Sequence, residues 1–433
     1  MKKNQIIYQM ALRTFTEEGT LNAARKMLPF LASLNIDIIY LCPVFKTGND
    51  EDESTWSPRQ IASGTNNPKN PYKMADYFNV DEEYGTNEDL KAFVTEAHKN
   101  GLKVMFDLVY LHCDRNAVFI KEHPEFVESN DDGTISVGET WPFARLNFEC
   151  PQLREYLLKN MEMFVSEYHV DGFRCDVGDM IPLDFWEKSF KALKKINPDL
   201  ITLNEGVLPE YIESVFDMDY GYEWNNTVVD VFSGKKTADE LKKYCMSERE
   251  KYGNNIHKII RTIDTHDFAS DKGADRNEIT MTSKGVEAAL VLNSTYCGVP
   301  FMWNGYEVCD NAENCMFSNR FYGRRSAINW SRAFTAEGMH RREFIKNINN
   351  LHHNTEELYN GEIQWLSNDK PQQIISYVKR TESSASVVIV NTANESVDVT
   401  VDVNIGEIYM KSDAVISDKI ILGAYGYIIA AAD

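Results

Sequence analysis

Short apolar runs alternate with longer amphipathic segments over most of the chain. The runs have the length and the β-branched and aromatic content of buried strands. Between them, apolar residues recur at helical spacing, as at Leu21, Ala24, Leu28, Leu31 and Leu34. The predicted strands cover residues 6–12, 38–41, 102–110, 170–176, 200–204, 214–218, 258–264 and 300–303. This alternation favours parallel strands joined by crossover helices, and the set predicts a closed (β/α)8 TIM barrel.

Several helix boundaries are marked by residues with a capping preference. Thr86 precedes an amphipathic segment and is followed three residues later by Asp89, a pattern that caps the start of a helix. Gly101 is suited to end that helix, because glycine adopts the left-handed backbone conformation of a helix stop. Pro151 is expected to open the next helix, which extends to about Tyr168.

Three regions depart from this alternation. The loop at 46–77 is long and rich in Asn, Asp, Ser, Gly and Pro. The segment of about 113–150, after the third strand, exceeds an ordinary βα loop and predicts a small inserted subdomain over the barrel mouth. The C-terminal pattern predicts an antiparallel β-sandwich with strands at 373–378, 385–390, 396–403, 420–421 and 427–430. The chain is therefore divided into a catalytic barrel domain of residues 1–362, which includes the insertion, and a C-terminal domain of residues 363–433.

Composition and charge narrow the classes of partner. A hydrophobic fraction of 43% and a charged fraction of 26% are typical of a globular protein. The formal net charge of −21 argues against nucleic acid or an anionic membrane as a partner, because both attract clustered Lys and Arg. The sequence also lacks a run of about 18 apolar residues that would span a membrane.

The cysteines and the N-terminus bear on the compartment. Eight cysteines are scattered without a CxxC pair, which indicates thiols in a reducing compartment and not a disulfide framework or a zinc site. The first residues lead directly into a strand-like segment without an apolar signal region, so we expect a cytoplasmic protein.

Polar residues with catalytic chemistry lie at the ends of four predicted strands. They are Asp107 and His112, Arg174 and Asp176, Glu205, and His266 and Asp267. In a barrel of parallel strands the carboxyl ends meet at one face, so we expect these side chains at the same mouth. The three carboxylates of Asp176, Glu205 and Asp267 at this mouth predict an active site.

The order of these segments resembles the four signature segments of the α-amylase family, glycoside hydrolase family thirteen. The matching motifs are Asp107 to His112, Gly172-Phe-Arg174-x-Asp176, Glu205 and His266-Asp267. Further matches are Tyr8-Gln9…Arg13-Thr14-Phe15, Tyr72-x-x-x-Asp76-Tyr77, Pro300…Gly305-x-Glu307 and Tyr425-Gly426-Tyr427. The resemblance extends over nearly the whole chain and implies a retaining glycosidase.

The resemblance gives each of the three carboxylates a role. Asp176 matches the nucleophile and Glu205 the acid/base catalyst, a pair that lies about 5–5.5 Å apart in retaining enzymes. Asp267 matches the third carboxylate, which hydrogen-bonds sugar hydroxyls and stabilises the oxocarbenium-like transition state. Arg174 lies on the same strand face two residues before Asp176, so its charge is expected to keep Asp176 ionised. Glu205 needs to be protonated near neutral pH to act as an acid.

Five further residues are expected to bind the substrate: Tyr72, Asp107, His112, Arg174 and His266. By resemblance, His112 and His266 are donors to sugar hydroxyls, and Tyr72 is the aromatic platform beneath the sugar. Structural roles are the alternatives for all five. These are a buried ion pair between Asp107 and Arg174, a packed tyrosine and two core histidines.

Departures from the family pattern bear on metal binding and specificity. Leu111 stands where relatives often have an Asn that ligates calcium, and Leu cannot coordinate a hard cation. Residues 16–20 also lack an acidic calcium-binding run, so we expect neither a metal nor another cofactor. Met180 stands where many endo-acting relatives have His, so we do not expect ordinary long-chain specificity. Trp56 and Trp141, in the two long loops, are expected either to stack on sugars or to pack within the loops.

The sequence therefore predicts retaining hydrolysis of α-glucosidic bonds in short α-glucans such as maltooligosaccharides. A glucosyl transferase, an isomerase or a disaccharide phosphorylase using the same three carboxylates is the alternative, as is a preference for α-1,6 linkages. A catalytically silent binding protein is disfavoured, because it would be expected to have lost at least one carboxylate. The expected partner is an oligosaccharide, and no oligomeric state is predicted.

Overall fold

A parallel barrel is the largest element of the computed structural model, which describes residues 3–270, 275–322, 326–417 and 419–432. Its eight strands are, in chain order, Ile7–Met10, Ile38–Leu41, Lys103–Leu108, Gly172–Cys175, Ile201–Asn204, Met218–Asp219, Ile260–Arg261 and Val299–Trp303. The eighth strand returns to the first, pairing Phe301 with Ile7. A parallel bridge between Asp219 and Ile259 joins the sixth strand to the start of the seventh. The predicted (β/α)8 barrel is confirmed.

Helices connect the barrel strands and precede the C-terminal sheet. They are Leu12–Phe15, Leu21–Arg25, Leu28–Ser33, Pro58–Ala62, Asn87–Lys99, Pro151–Glu167, Leu183–Leu193, Pro209–Ser214, Tyr222–Phe232, Ala238–Tyr252, Asn277–Thr280, Thr282–Thr295, Ala336–Asn354 and Glu356–Asn360. Within the described ranges, none of them has the length and apolar character that crossing a membrane would require.

The predicted helix boundaries are confirmed. Thr86 and Asp89 form a reciprocal capping box at the start of Asn87–Lys99, with each side chain accepting from the other's backbone N–H. Gly101 follows this helix in the left-handed conformation, with φ of +76°, which only glycine adopts without strain. The next helix begins at Pro151, as expected.

Several predicted elements differ from the structure. The strand predicted at 258–264 is limited to Ile260–Arg261, and the strands predicted at 420–421 and 427–430 are one strand, Ile420–Ala432. The apolar helix face that begins at Leu21 is divided between Leu21–Arg25 and Leu28–Ser33, because Pro29 lacks the N–H needed to continue the first helix. The strand predicted at 214–218 is limited to Met218–Asp219, since a helix that starts with a proline extends through Ser214.

Both long loops contain secondary structure of their own. In the insertion, His112–Cys113 pairs antiparallel with Ala144–Arg145, and the chain between them forms a small irregular unit. In the loop at 46–77, Phe45–Thr47 pairs antiparallel with Met74–Val80 and encloses a short helix.

Lys73 links the loop at 46–77 to the insertion. Its side chain is 2% exposed, and its Nζ lies 3.4 Å from Asp114 Oδ2 and 3.7 Å from Asp50 Oδ2. The ammonium also donates to Thr55 Oγ1 at 3.1 Å and lies 5.7 Å from the centroid of the Phe143 ring. This buried cation therefore contacts both parts of the cover over the barrel mouth.

The C-terminal domain is antiparallel, as predicted. Its strands are Glu362–Trp365, Ile374–Arg380, Ala385–Asn391, Val397–Val399, Ile405–Ile416 and Ile420–Ala432. One face packs against the barrel helices: Tyr377 hydroxyl contacts Thr295 Oγ1 at 2.7 Å, and Tyr427 donates to Glu287 Oε1 at 2.9 Å. The other face buries a separate apolar cluster, which includes Val387, and this confirms the sandwich-like domain.

Candidate active site

A cavity of about 710 Å³ opens where the carboxyl ends of the barrel strands meet. Its lining includes the three predicted catalytic carboxylates and three predicted sugar-binding residues: Asp176, Glu205, Asp267, Tyr72, His112 and His266. The side chains of Asp107 and Arg174 are fully buried behind this lining. The structure thus brings the eight predicted site residues to one place.

Arg174 joins three of the carboxylates behind the cavity wall. Its Nη1 donates to Asp107 Oδ1 and to Asp176 Oδ1, each at 2.8 Å. Its Nη2 donates to Glu205 Oε2. Strand alternation explains this arrangement, because Arg174 and Asp176 are two residues apart and point to the same side of the fourth strand. One guanidinium therefore fixes the positions of Asp176 and Glu205 relative to each other.

The backbone turns sharply after Asp176. Val177 has φ of +40°, a left-handed conformation that is rare for a β-branched residue. The turn directs the Val177 N–H toward Glu205 Oε2, to which it donates at 2.9 Å. Gly178 comes next, and a Cβ there would lie 2.3 Å from Asn204 Oδ1. The strained turn therefore brings the fourth strand end against the residue that carries the second carboxylate.

Glu205 is also held by residues after the sixth strand. The Tyr222 hydroxyl donates to Glu205 Oε1. The next peptide, at Gly206, donates its N–H to Asp219 Oδ1 at 3.0 Å, and burial raises the pKa of Asp219 to about 7. Both oxygens of Glu205 thus have fixed partners.

A chain of hydrogen bonds passes behind the opposite wall. The Gln9 Nε2 donates to His266 Nδ1 at 2.6 Å, so a neutral His266 carries its proton on Nε2. That nitrogen donates to the Tyr72 hydroxyl at 2.9 Å, and the hydroxyl donates to Asp107 Oδ2, also at 2.9 Å. Because the Tyr72 hydroxyl is engaged in this way, its ring is the part that remains for contact with a sugar.

Aromatic residues of the insertion form another part of the wall. The His112 ring lies 4.9 Å from the Phe143 ring and 5.8 Å from the Trp141 ring, and its buried Nδ1 makes no hydrogen bond to the residues that the structure describes. Trp141 lines the cavity, whereas Trp56 is buried and donates to the Asp50 carbonyl at 2.8 Å. Of the two tryptophans, Trp141 is therefore the one that lines the cavity.

Asp267 is the cavity carboxylate that does not contact Arg174 in the described hydrogen bonds and ion pairs. Its Oδ1 lies 3.6 Å from Arg59 Nε, and the Arg59 Nη1 donates to the Asp267 carbonyl oxygen. Arg59 lies on the short helix Pro58–Ala62 in the loop at 46–77. A second arginine thus holds the third carboxylate.

The sequence of this chain matches a family model and several characterised proteins. The model of the α-amylase catalytic domain matches residues 6–133. A maltogenic α-amylase of Bacillus acidopullulyticus is 24% identical over 424 residues, covering 91% of this chain and 66% of that protein. A cyclomaltodextrinase of a Bacillus species is 25% identical over 410 residues, covering 86% and 65% respectively. The chain is therefore similar, over most of its length, to glycoside hydrolases of the α-amylase family.

Solved structures of α-amylase family proteins share the whole fold. The maltogenic α-amylase AmyB from Thermotoga neapolitana superposes with a TM-score of 0.82 at 24% identity, covering 99% of this chain and 98% of that one. An α-amylase from Lactobacillus plantarum gives a TM-score of 0.79 at 21% identity and covers 99% of both chains. The curated relatives are longer, since this chain spans 66% and 65% of the first two.

Several contacts in the site were not predicted from the family motifs. They are made by Gln9, Tyr40, Arg59 and Tyr222. Gln9 directly follows Tyr8 of the first motif, and the strand alternation there could have placed it in the barrel interior. The sequence carried no comparable signal for Arg59 or Tyr222, because each lies on a helix outside the α-amylase motifs.

Burial controls the protonation of the site. Burial raises the pKa of Asp176 well above its ordinary value, and the Arg174 guanidinium bonded to it opposes this rise. The charge of Arg174 was expected to dominate, but it is outweighed by the loss of water around the carboxylate. Burial also lowers the pKa of His112 to about 4 and that of His266 to about 3, so both imidazoles are neutral near pH 7.

The described residues include no group of three or more His, Cys, Asp or Glu side chains that could hold a metal ion. Leu111, at the position where relatives often have a calcium ligand, is buried and 2% exposed. The Lys73 ammonium lies between Asp50 of the loop at 46–77 and Asp114 of the insertion, so a lysine side chain balances the negative charge of these carboxylates.

Proposed function

We propose that this protein hydrolyses α-glucosidic bonds in short α-glucans by a retaining double displacement. The contact of one guanidinium with both Asp176 and Glu205 carries this proposal. Carboxylates on the two terminal nitrogens of one arginine lie close together, which favours the spacing of about 5–5.5 Å used by retaining enzymes over the wider inverting spacing.

In the proposed first step, an Asp176 oxygen attacks the anomeric carbon while the bond from that carbon to the leaving oxygen breaks. Glu205 donates its proton to the leaving oxygen, and a covalent glycosyl ester on Asp176 results. In the second step, Glu205 removes a proton from water, the water attacks the anomeric carbon, and Asp176 is released. The reactive form has the negative charge on Asp176, next to the Arg174 guanidinium, and the proton on Glu205.

The other predicted residues support this chemistry from around the cavity. Asp267 accepts hydrogen bonds from sugar hydroxyls, and its negative charge stabilises the cationic transition state. His112 and His266, both neutral, contact sugar hydroxyls, and the Tyr72 ring lies against the sugar face. Asp107 acts through Arg174 and Tyr72, which it bonds.

Transfer to an acceptor other than water is the competing function. Two matched relatives are named α-1,4-glucan:maltose-1-phosphate maltosyltransferases, one of them from Picrophilus torridus, 24% identical over 395 residues that cover 86% of this chain and 58% of that protein. Arg59 is the only Lys or Arg among the described residues that line the cavity, and it already forms an ion pair with Asp267. A phosphate group would need further cationic donors, so this lining favours water as the acceptor.

The barrel of residues 1–362 is proposed to hold the whole catalytic apparatus, while residues 363–433 form a supporting domain. A cytoplasmic location is proposed as well. All eight cysteines are free and buried, as in proteins of a reducing compartment.

Two measurements test the proposed function. Proton NMR during the first minutes of hydrolysis of maltotriose is expected to show the α-anomer before mutarotation, because two inversions retain the configuration. Asp176→Asn and Glu205→Gln are each expected to lower kcat by about a thousandfold or more with the fold retained. Asp398→Asn, at an exposed carboxylate of the C-terminal sheet, is the matched control. Initial β-anomer, or activity within tenfold of wild type in either active-site variant, would contradict the mechanism.

A further inference from the structure

The order of the barrel strands determines which side of the cavity mouth lies opposite the proposed acid. Glu205 follows the fifth strand of a ring of eight, so the first strand lies across the ring, between the second and the eighth. The acid must lie beside the oxygen of the leaving group. The side above the first strand therefore faces the glycone, the part of the substrate that becomes attached to the nucleophile.

Loops from the second and eighth strands are joined to each other on this glycone side. Asn67 Nδ2 donates to the Phe317 carbonyl oxygen at 2.9 Å. Arg13, which follows the first strand, donates to the carbonyl oxygens of Lys69 at 3.0 Å and Met316 at 3.1 Å. These bonds close the rim of the mouth above the first strand.

Arg59 extends the closure to the loop after the seventh strand, through its contacts with the Asp267 carboxylate and carbonyl. The short helix that presents Arg59 is itself firmly held. Its N-cap Ser57 accepts from the Gln60 N–H at 3.2 Å and from Asn70 Nδ2 at 3.0 Å. The position of the guanidinium is therefore fixed from both ends.

The side chain of Arg59 forms a wall between the cavity and solvent. It lines the cavity, and yet 38% of the side chain is exposed. Asp267 is proposed to hold the sugar that reacts with the nucleophile. Arg59 contacts Asp267 from the glycone side. It therefore lies where a second glycone sugar, the one that precedes the reacting sugar, would have to bind.

We propose that Arg59 is a specificity-determining residue that ends the cavity on the glycone side. Substrate chains then enter by their non-reducing end, and internal bonds of long α-glucans stay out of reach. This inference rests on the proposed hydrolysis and deepens it, because it assigns the limit of substrate entry to one side chain.

A pair of aryl maltoheptaosides tests the inference. One has a free non-reducing end, and in the other the 4- and 6-hydroxyls of that end are bridged by an ethylidene group. Wild type is expected to cleave the free substrate and to leave the blocked one largely intact. Arg59→Ala is expected to raise the ratio of kcat/KM for the blocked to the free substrate by about tenfold or more, because it opens the wall. Arg59→Lys, which keeps charge and most of the length, is expected to stay near the wild-type ratio.

Arg380→Ala removes an exposed arginine of the C-terminal sheet and is expected to leave both rates unchanged. Equal cleavage of both substrates by wild type would overturn the inference while leaving the proposed hydrolysis intact. A loss of both activities in Arg59→Ala without a change in their ratio would also overturn it. Cleavage of neither substrate by wild type would instead remove the proposed function on which the inference rests.

Discussion

Tyr222 and Tyr220 lie side by side at the end of the sixth strand and differ in one hydrogen bond. The rings are 5.1 Å apart, and both are buried or nearly so. The Tyr222 hydroxyl donates to Glu205 Oε1, whereas the buried Tyr220 hydroxyl has no hydrogen-bond partner in the described part of the chain. Burial raises the pKa of Tyr222 well above its ordinary value, so the hydroxyl keeps the proton that it donates. We therefore expect Tyr222 to position Glu205, the proposed acid, and Tyr220 is its natural control.

Tyr222→Phe is expected to impair the step that needs acid catalysis. Loss of a charge-assisted hydrogen bond leaves Glu205 less well placed, and kcat for maltose is expected to fall by about 10- to 100-fold. α-Glucosyl fluoride has a leaving group that needs little protonation, so its rate is expected to change much less. Steady-state kinetics on both substrates measure the difference. Tyr220→Phe is expected to leave both rates near wild type, and equal losses on both substrates in Tyr222→Phe would contradict the assignment.

Three of the predicted site residues are placed by a strand. Asp107, Arg174 and Glu205 each lie at a strand end, where alternation and the barrel geometry determine the direction of the side chain. Arg59 and Tyr222 could not be predicted, because their places depend on how a loop helix and a barrel helix pack in three dimensions. Their functional contacts arise from tertiary structure and leave no periodic signal in the chain.

A buried ion pair joins the loop at 46–77 to the insertion. Asp114 is 4% exposed in the insertion, and its ion-pair partner Lys73 directly precedes the strand Met74–Val80. A carboxylate buried to this extent is stable only with a partner. The same ammonium lies beside the ring of Phe143, which lines the cavity. The cover over the mouth is therefore joined by a protein cation.

Activity and melting temperature are expected to be independent of calcium. Extensive dialysis against EDTA is expected to leave both unchanged. A large drop of wild-type activity in EDTA that calcium restores would show that a metal site exists.

Lys73→Met is expected to destabilise the fold by about 3–5 kcal/mol, because it leaves the Asp114 carboxylate buried and unpaired. Lys46→Met, at an exposed lysine of the same loop, serves as the control in thermal melts.

Element prediction succeeded where local chemistry decides the structure. Capping by Thr86 and termination by Gly101 involve neighbours in the chain, and both were predicted correctly. The long strand Ile405–Ile416 was missed, because its Lys, Asp, Glu and Ser residues suggest a loop while its pairing with Ile420–Ala432 makes it a strand. Long-range pairing of this kind is not encoded in local propensity.

At the scale of the whole molecule, the barrel mouth is a walled cavity. The loop at 46–77 contributes Arg59, and the insertion contributes Trp141 and Phe143 to the same lining. If Arg59 closes the glycone side as proposed, we expect the cavity to take chain ends in preference to the interior of a polymer. The net charge of −21 is compatible with a neutral sugar substrate and unfavourable for an anionic one.

Short oligosaccharides are expected to be better substrates than starch. The value of kcat/KM for maltotriose is expected to exceed that for soluble starch when both are counted per non-reducing chain end, because a walled cavity gains nothing from a longer chain. Reducing-sugar assays give both values. A rapid fall in the viscosity of a starch solution, which marks internal cleavage, would refute the walled cavity without affecting the three carboxylates.

The junction between the sixth and seventh strands is the thinnest part of the barrel. Each strand has two residues, and the bridge from Asp219 to Ile259 joins them in the described part of the chain. A ring opens most readily at its least bonded joint, so we expect the local fluctuations of this barrel to be largest there. Tyr222 follows one side of the joint and Asp267 the other, so an opening would separate the tyrosine that holds the proposed acid from the proposed third carboxylate. We therefore expect local opening of the barrel wall at this joint to disturb the arrangement of the proposed catalytic groups.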